Sequence, residues 1–232
     1  ADRLPAIPSY EFSGVVAAVG PGVEQVRVGE AVYALGDFGR DGAAADYTVV
    51  DAGLLAPKPR TLDHLQSAAI PLAGLSAWQG GVGAFAVQLA HWRGAHVVGT
   101  ASTANLETAR ALGADQVLDH TTTRFEDAVE PVDVVFDTAG GDRLERSPAV
   151  LRPGGRLVSV AEEPEKADGI SSLYFVVEPN RRQLMEIARL VDDGRLRPKI
   201  DEVLPLAEAR AAFERSLGDG RRGKIVLRVA ED

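Results

Sequence analysis

The run Gly80, Gly81, Val82, Gly83 passes directly into Ala84, Phe85, Ala86, Val87, Gln88, Leu89 and Ala90, a glycine cluster opening an apolar helix. Glycines let a backbone approach a pyrophosphate closely, and the free N–H groups of a helix start attract its negative charge. The chemistry such a stretch offers is the holding of a nucleotide. The same cluster serves equally as a tight turn with close helix packing, so its neighbours must decide.

Composition narrows the field. With 232 residues, 45% of them hydrophobic, the chain can bury one large core or two modest ones. No apolar run approaches the roughly 20 residues of a membrane helix, and Ala1 to Tyr10 carry neither the basic nor the apolar part of a signal peptide, so a cytoplasmic protein is expected. The absence of cysteine removes disulfides and thiolate metal sites, and the four histidines (His64, His91, His96, His120) show no paired ligand spacing, so no bound metal is expected. Lys and Arg number 25 against 34 Asp and Glu, a net charge of −9 that argues against a nucleic-acid or anionic-membrane partner.

The elements that must position the glycines fall into two styles. From Tyr10 to Val50 the chain is β-rich and broken by turns: an apolar run Gly14 to Val19, a turn at Gly20, Pro21 and Gly22, alternation at Val23, Val26 and Val28, then strands at Ala31 to Leu35 and Ala45 to Val50. Helices are expected over Leu62 to Ile70, with Thr61 as N-cap, and over Ala73 to Trp78 after Pro71. Beyond the glycines the pattern alternates. Helices at Ala84 to Trp92, Asn105 to Leu112 and Leu144 to Leu151 interleave with strands at His96 to Thr100, Gln116 to Asp119, Val132 to Asp137 and Arg156 to Ala161. That succession is the sequence form of βαβ units around a parallel sheet. A charged loop (Glu162 to Ile170), two amphipathic helices (Gln183 to Asp193, Leu206 to Leu217) and a strand at Lys224 to Val229 complete the chain.

Several ordered motifs now carry a resemblance: IPSYEFSG from Ile7, VGPGVEQVRVGEAV from Val19, LAGLSAW from Leu72, GGVGAFAVQ from Gly80, LGAD from Leu112, DVVFDTAGG from Asp133, LRPGGRLV from Leu151 and GKIVL from Gly223. Over nearly its whole length the chain resembles the zinc-independent medium-chain dehydrogenase/reductases of the quinone oxidoreductase, zeta-crystallin-like type. The resemblance implies an α/β fold: a Rossmann-type doubly wound parallel sheet over residues 73–195, plus a GroES-like β domain built from both chain ends, 1–72 and 196–232. It implies NADP(H) or NAD(H) as cofactor, a quinone or enone as small-molecule substrate, and a homodimer.

Three departures bear on that reading. Tyr10 precedes Glu11 where zinc-dependent relatives carry histidine, which with the absence of cysteine places the chain in the zinc-free branch. His91 stands where the pattern has a basic residue after Gln88. Most consequential, Gly80 follows Gln79 at once, whereas the family builds its first Rossmann strand there. A strand with its turns needs about 8 to 10 residues. In the doubly wound order that strand is central, so its absence leaves both neighbours exposed. The first strands of the family's substrate domain also have no counterpart before Ala1. Residues omitted from the chain as written are the preferred reading, since every remaining motif agrees with one fold.

The implied reaction moves hydride from a reduced nicotinamide to an electron-poor carbon, and needs positioning and hydrogen bonds to the developing oxyanion rather than a metal. An acid about 20 residues beyond the glycines would bind the 2′-hydroxyl of NAD. Here Thr100, Ala101, Ser102, Thr103, Ala104 and Asn105 precede the first acid, Glu107. Small hydroxyls leave room for a 2′-phosphate, which favours NADP(H), with Arg110 or Arg222 as candidate charge partners. Ser102 and Thr103 serve equally as caps of the next helix, and the two roles are compatible. By resemblance Ser76 lies near the nicotinamide, Thr138, Ala139 and Gly140 line its ribose end, and Phe175, Val176 and Val177 close over the ring. From spacing alone, Phe175 to Val177 reads as an ordinary buried strand. Tyr10 is the candidate catalytic proton donor to an enolate, with packing as its other role. His120 reads as a loop histidine, where relatives often place an aromatic near the adenosine. Two other functions stay open: a non-catalytic relative that has lost its cofactor, and an enoyl-thioester reductase, which a basic entrance for phosphopantetheine would favour.

Overall fold

A computed structural model describes residues 5–79, 83–218 and 222–230. The chain divides into a terminal unit, made of the segments up to Leu75 and from Glu178 onward, and a central unit, Ser76–Val177.

In the terminal unit, strands β1 (Glu11–Val15) and β2 (Ala31–Leu35) pair antiparallel, Glu11 opposite Leu35 and Val15 opposite Ala31. The two-residue β3 (Ala56–Pro57) extends the sheet beside Val32 and Tyr33. Val16, Val26, Val32, Ala34 and Leu55 form one core cluster under it. Helix α1 (His64–Ala68) starts with a capping box: Asp63 Oδ1 accepts from Gln66 N at 2.6 Å, and Gln66 Oε1 accepts from Asp63 N at 3.3 Å. Asp63 therefore takes the N-cap role expected of Thr61, whose N–H and hydroxyl both go to Asp192 at 3.0 Å. Helix α2 (Pro71–Gln79) opens on proline, whose missing N–H costs nothing in a first turn.

The central unit begins with α3 (Gly83–Trp92), followed by β4 (Val98–Ala101), α4 (Leu106–Ala111) and β5 (Gln116–Asp119). After β6 (Val132–Asp137) comes α5 (Asp142–Arg146), which passes into one 3₁₀ turn at Ser147–Val150. β7 (Leu151–Ser159) and β8 (Ser171–Tyr174) follow. All pairs here are parallel: Ala101 faces Asp119, Asp137 faces Ser159, and Ser159 faces Tyr174. They form two sheets, β4-β5 and β6-β7-β8. In the doubly wound order 3-2-1-4-5-6 these correspond to the first two and the last three positions. Among the described residues no strand stands between β4 and β6. Each of these two keeps one pairing partner, and Val134 of β6 is 55% exposed where a central parallel strand is normally covered on both faces.

The chain then returns to the terminal unit with α6 (Arg181–Asp192), β9 (Ile200–Pro205), α7 (Ala209–Leu217) and β10 (Lys224–Arg228), the two strands pairing parallel with Val226 beside Val203. The return falls at Glu178 rather than near Arg195 because α6 packs with the chain ends. Leu184, Ile187, Ala188 and Val191 form its apolar stripe, all buried. The Tyr33 hydroxyl donates to the Leu184 carbonyl at 2.5 Å, Arg181 Nε donates to the Leu55 carbonyl at 2.6 Å, and Asp192 accepts from Thr61. Burial pushes the Tyr33 phenol far above its ordinary pKa, so it stays a donor.

The remaining differences from the sequence reading are local. Gly14 to Val19 is strand only to Val15, and no strand forms over Val23 to Val28 or Ala45 to Val50. Tyr47 and Val49 are 79% and 76% exposed, because hydrogen bonds from the Gly42, Ala43 and Ala44 amides to Ile7, Ser9 and Pro8 hold the chain before them in a loop that no strand flanks. β8 and β9 were not anticipated, their apolar residues being interrupted by Ser171, Ser172, Asp201 and Glu202.

Candidate functional site

The site candidates of the central unit gather where its parallel strands end. Thr100 is exposed near the end of β4, and Ser102 follows. Ser102 makes no capping bond; its Oγ accepts from Asn105 Nδ2 at 3.3 Å. Thr103 likewise turns away from the helix, its hydroxyl donating to Asp119 Oδ2 at 2.5 Å. Asp119 also accepts from the Thr121 hydroxyl at 2.6 Å and the Thr121 N–H at 2.9 Å. These donors, Thr103 first, hold its carboxyl below the usual range. A carboxylate thus stands beside the end of β4, supplied by the neighbouring strand. The linear sequence hides it, since only the β4–β5 register brings Asp119 opposite Ala101. Of the candidate charge partners, Arg110 is paired with Glu107 at 2.9 Å and Arg222 belongs to the terminal unit.

His120 is half-buried, not a free loop histidine, with Arg143 Nη2 3.4 Å from its Nδ1. A guanidinium only donates, so Nδ1 accepts and the ring hydrogen lies on Nε2. This contact joins the loop after β5 to α5, the helix after β6. Arg146 of α5 makes a second link, to both carboxylate oxygens of Glu126 at 2.6 and 2.8 Å.

At the end of β6 the loop Thr138–Gly141 is held from beneath. The buried Asp137 carboxylate accepts from Gly140 N at 2.9 Å, from Ala139 N at 3.4 Å and from the Ser159 hydroxyl at 3.1 Å. Ser159 Oγ in turn accepts from Ala161 N and Glu162 N, and Glu162 accepts from Gly141 N. Gly140 and Gly141 have φ of +69° and +59°, and a Cβ on Gly140 would lie 2.8 Å from Glu162 Oε1. Glycine is therefore required at Gly140. Asp137, Ser159 and Glu162 are positioning residues that motif matching missed. Phe175 N donates to the Ser159 carbonyl at 3.3 Å, which ties Phe175 to the end of β7, the strand between β6 and β8. β8 ends at Tyr174, so Phe175–Val177 is no buried strand: Val176 is 62% exposed while Val177 is buried.

Ser76 is buried on α2. Gly83 heads α3 with open space where its Cβ would be. Gly80, Gly81 and Val82 lie outside the described residues. Tyr10 belongs to the terminal unit, where its ring meets Phe38 edge to face at 5.1 Å. Glu11, which follows it, accepts from Leu72 N at 2.9 Å and pairs with Lys224, so its carboxylate is committed to tying β1, α2 and β10 together. Among the described residues no three His, Cys, Asp or Glu side chains gather to hold a metal ion, and no helix is long and apolar enough to cross a membrane.

Parallel strands alternating with helices, beside a second unit made from both chain ends, describe a two-unit α/β fold. Residues 1–60 match the alcohol dehydrogenase GroES-like domain and residues 112–227 match the zinc-binding dehydrogenase domain. The chain is 31% identical to an alcohol dehydrogenase superfamily protein of Novosphingobium aromaticivorans, with a TM-score of 0.90 over 98% of this chain and 83% of that one. Its likeness to the quinone oxidoreductase of Coxiella burnetii is 29% identity and a TM-score of 0.84, over 99% and 81%. The chain belongs to the medium-chain dehydrogenase/reductase family. It is 34% identical to the chloroplastic NADPH-dependent alkenal/one oxidoreductase of Arabidopsis thaliana over 97% of its own length, and spans 64% of that curated relative.

Proposed function

We propose that the protein is an NADPH-dependent reductase of quinones or α,β-unsaturated carbonyl compounds, working without zinc. The observation that carries this reading is the set of strand ends: the hydroxyls of Thr100 and Ser102 close β4, and the glycine loop Thr138–Gly141 closes β6, with the loop carboxylates engaged by the protein's own donors. The similarity to an NADPH-dependent alkenal/one oxidoreductase and to a quinone oxidoreductase supports the choice of substrate and cofactor. The homodimer implied by the family resemblance goes with this reading.

The residues fit the dinucleotide in its adenosine and nicotinamide halves. Thr100 and Ser102 would hold the adenosine ribose, Gly83 and the glycines before it the pyrophosphate, and Ser76, Thr138, Ala139, Gly140 and Phe175–Val177 the nicotinamide end. When bound, the reduced nicotinamide supplies the hydride. The chain's own task is to fix geometry and exclude water, since orientation alone contributes several kcal/mol to such a transfer, roughly 7 to 11 at best. Asp137 and Ser159 do this for the loop after β6 by holding its amides. Tyr10 would donate its hydroxyl proton to the substrate oxygen as negative charge builds there. Zinc has no place in this scheme: the chain has no cysteine, and Glu11 is occupied by Lys224 and the Leu72 amide.

A second reading, a relative that kept the fold and lost the cofactor, is favoured by the vacant central position between β4 and β6 among the described residues. NADPH consumption in the presence of an enone or a quinone separates the two. Turnover supports the reductase, and absence of both turnover and NADPH binding supports the second reading.

A further inference from the structure

The charged loop that joins β7 to β8 carries a turn with no part in the proposed reaction. Ile170 N donates to the Ala167 carbonyl at 3.2 Å, which puts Asp168 and Gly169 at the corners. Both are exposed. Gly169 has a φ of +74°, with open space where a Cβ would be. Its carbonyl accepts from Gly154 N at 2.9 Å, but among the described residues neither its N–H nor the Asp168 carboxylate has a hydrogen-bond or ion-pair partner. An amide nitrogen directly after an aspartate, with no side chain to screen it and no acceptor to hold its proton, is a nucleophile for that aspartate's own carboxyl carbon. Two other Asp-Gly pairs of the chain are held. Gly42 N donates to the Ile7 carbonyl at 2.8 Å, Asp41 Oδ1 accepts from Ile7 N at 3.5 Å, and the Pro8 and Ser9 carbonyls lie where a Cβ of Gly42 would be. Gly194 N donates to the Val191 carbonyl at 2.9 Å, and the N–H of Asp193, which caps α6, to that of Arg189 at 2.9 Å. Asp219–Gly220 lies outside the described residues.

We infer that Asp168–Gly169 is a site of spontaneous isoaspartate formation, a covalent modification of the loop that is independent of the reductase reading. The Gly169 nitrogen attacks Asp168 Cγ: the N–Cγ bond forms, the amide proton and the hydroxyl of the protonated carboxyl depart as water, and a succinimide ring closes. Water then adds to one of the two ring carbonyls. Opening the N–Cγ bond restores aspartate. Opening the bond between the nitrogen and the main-chain carbonyl carbon leaves Gly169 attached through Cγ, with the α-carboxylate free. Nothing is oxidised or reduced, and the water lost is regained. The product carries an extra methylene in its main chain, so the turn between Ala167 and Ile170 no longer closes as before and the bond from Gly154 to Gly169 is lost.

The test ages the full chain in warm neutral buffer, native and unfolded in urea. Trypsin then separates Asp41, Asp168, Asp193 and Asp219 into different fragments, since cleavage falls after Arg40, Lys166, Arg189 and Arg215. An isoaspartyl-specific carboxyl methyltransferase with labelled S-adenosylmethionine marks each freed α-carboxylate. The inference predicts that the Asp168 fragment gains label at about the same rate in the native and the unfolded chain. The Asp41 and Asp193 fragments of the native chain should gain it more slowly by about fivefold or more, because their amides must first break a hydrogen bond. Asp168→Glu should abolish the label in its fragment, since the longer side chain closes a ring far less readily. Label that survives there arises at Asn180 and overturns the site. Absence of label at Asp168, a native rate far below the unfolded one, or equal labelling of Asp41, Asp168 and Asp193 in the native chain also overturns it.

Discussion

The guanidinium of Arg146 grips both carboxylate oxygens of Glu126, at 2.6 and 2.8 Å, and thereby ties α5 to the loop that follows β5. That hydrogen bond, with help from Arg124, holds the Glu126 carboxyl at about 2, against an ordinary 4.5. A depressed carboxyl contributes stability that is fully present above its unfolded pKa and is lost as pH falls through the folded value. Glu126→Gln should therefore lower Tm at pH 7, and the gap to the parent protein should close between about pH 4.5 and pH 2. A gap independent of pH across that window would show that Glu126 acts by shape and not by charge.

Gly140 and Gly154 both sit at positive φ, +69° and +80°, but only Gly140 is crowded. Alanine in a left-handed conformation costs about 1 to 2 kcal/mol. Gly154→Ala should cost that much in urea unfolding. Gly140→Ala should cost more, and should in addition weaken NADPH binding, because its Cβ meets Glu162 and loosens the loop amides. Equal costs with unchanged NADPH binding would remove Thr138–Gly141 from the site.

Ile187 is fully buried on α6, where its side chain lies against Gly74 of α2. Ile187→Ala should cost about 2 to 5 kcal/mol, the range for a core truncation that leaves a cavity. Tyr33→Phe, which keeps the ring and drops one hydrogen bond to Leu184, should cost about 1 kcal/mol. Urea denaturation of the two variants measures both. A reversed order would mean that α6 is held by its polar contacts rather than its apolar stripe.

The vacancy between β4 and β6 has a signature of its own. Among the described residues β7 is paired on both sides, whereas β4 and β6 each have one partner. Hydrogen exchange should be slowest in Arg156–Ser159 and faster in Val98–Ala101 and Val132–Asp137. Inserting an apolar strand with its turns between Gln79 and Gly80 should slow exchange in both and tighten NADPH binding. Uniform protection in the parent chain would mean that the central position is filled.

Much of this architecture is legible in the residues because the central unit is repetitive. β2, β5 and β6 have the bounds that the sequence pattern predicts. Two strands escape: β8, flanking the sheet, needs only one covered face, and β9 carries Asp201 and Glu202 among its apolar residues. The expected helix over Leu144 to Leu151 stops early, since Pro148 falls in a 3₁₀ turn and Leu151 already belongs to β7. The candidate site divides along the same line. Thr100, Ser102 and Thr138–Gly140 follow from motifs, because each lies within a few residues of a strand end. Asp119, Arg143 and Glu162 do not, because register, a helix crossing and a loop return bring them in from elsewhere.

The central claim is met most directly by mixing the purified protein with NADPH and following its absorbance on addition of an enone, then a quinone. The account predicts consumption of NADPH that depends on the acceptor, persists in the presence of a zinc chelator and falls in Tyr10→Phe. No consumption with either acceptor, together with no change in NADPH fluorescence at millimolar cofactor, would contradict it.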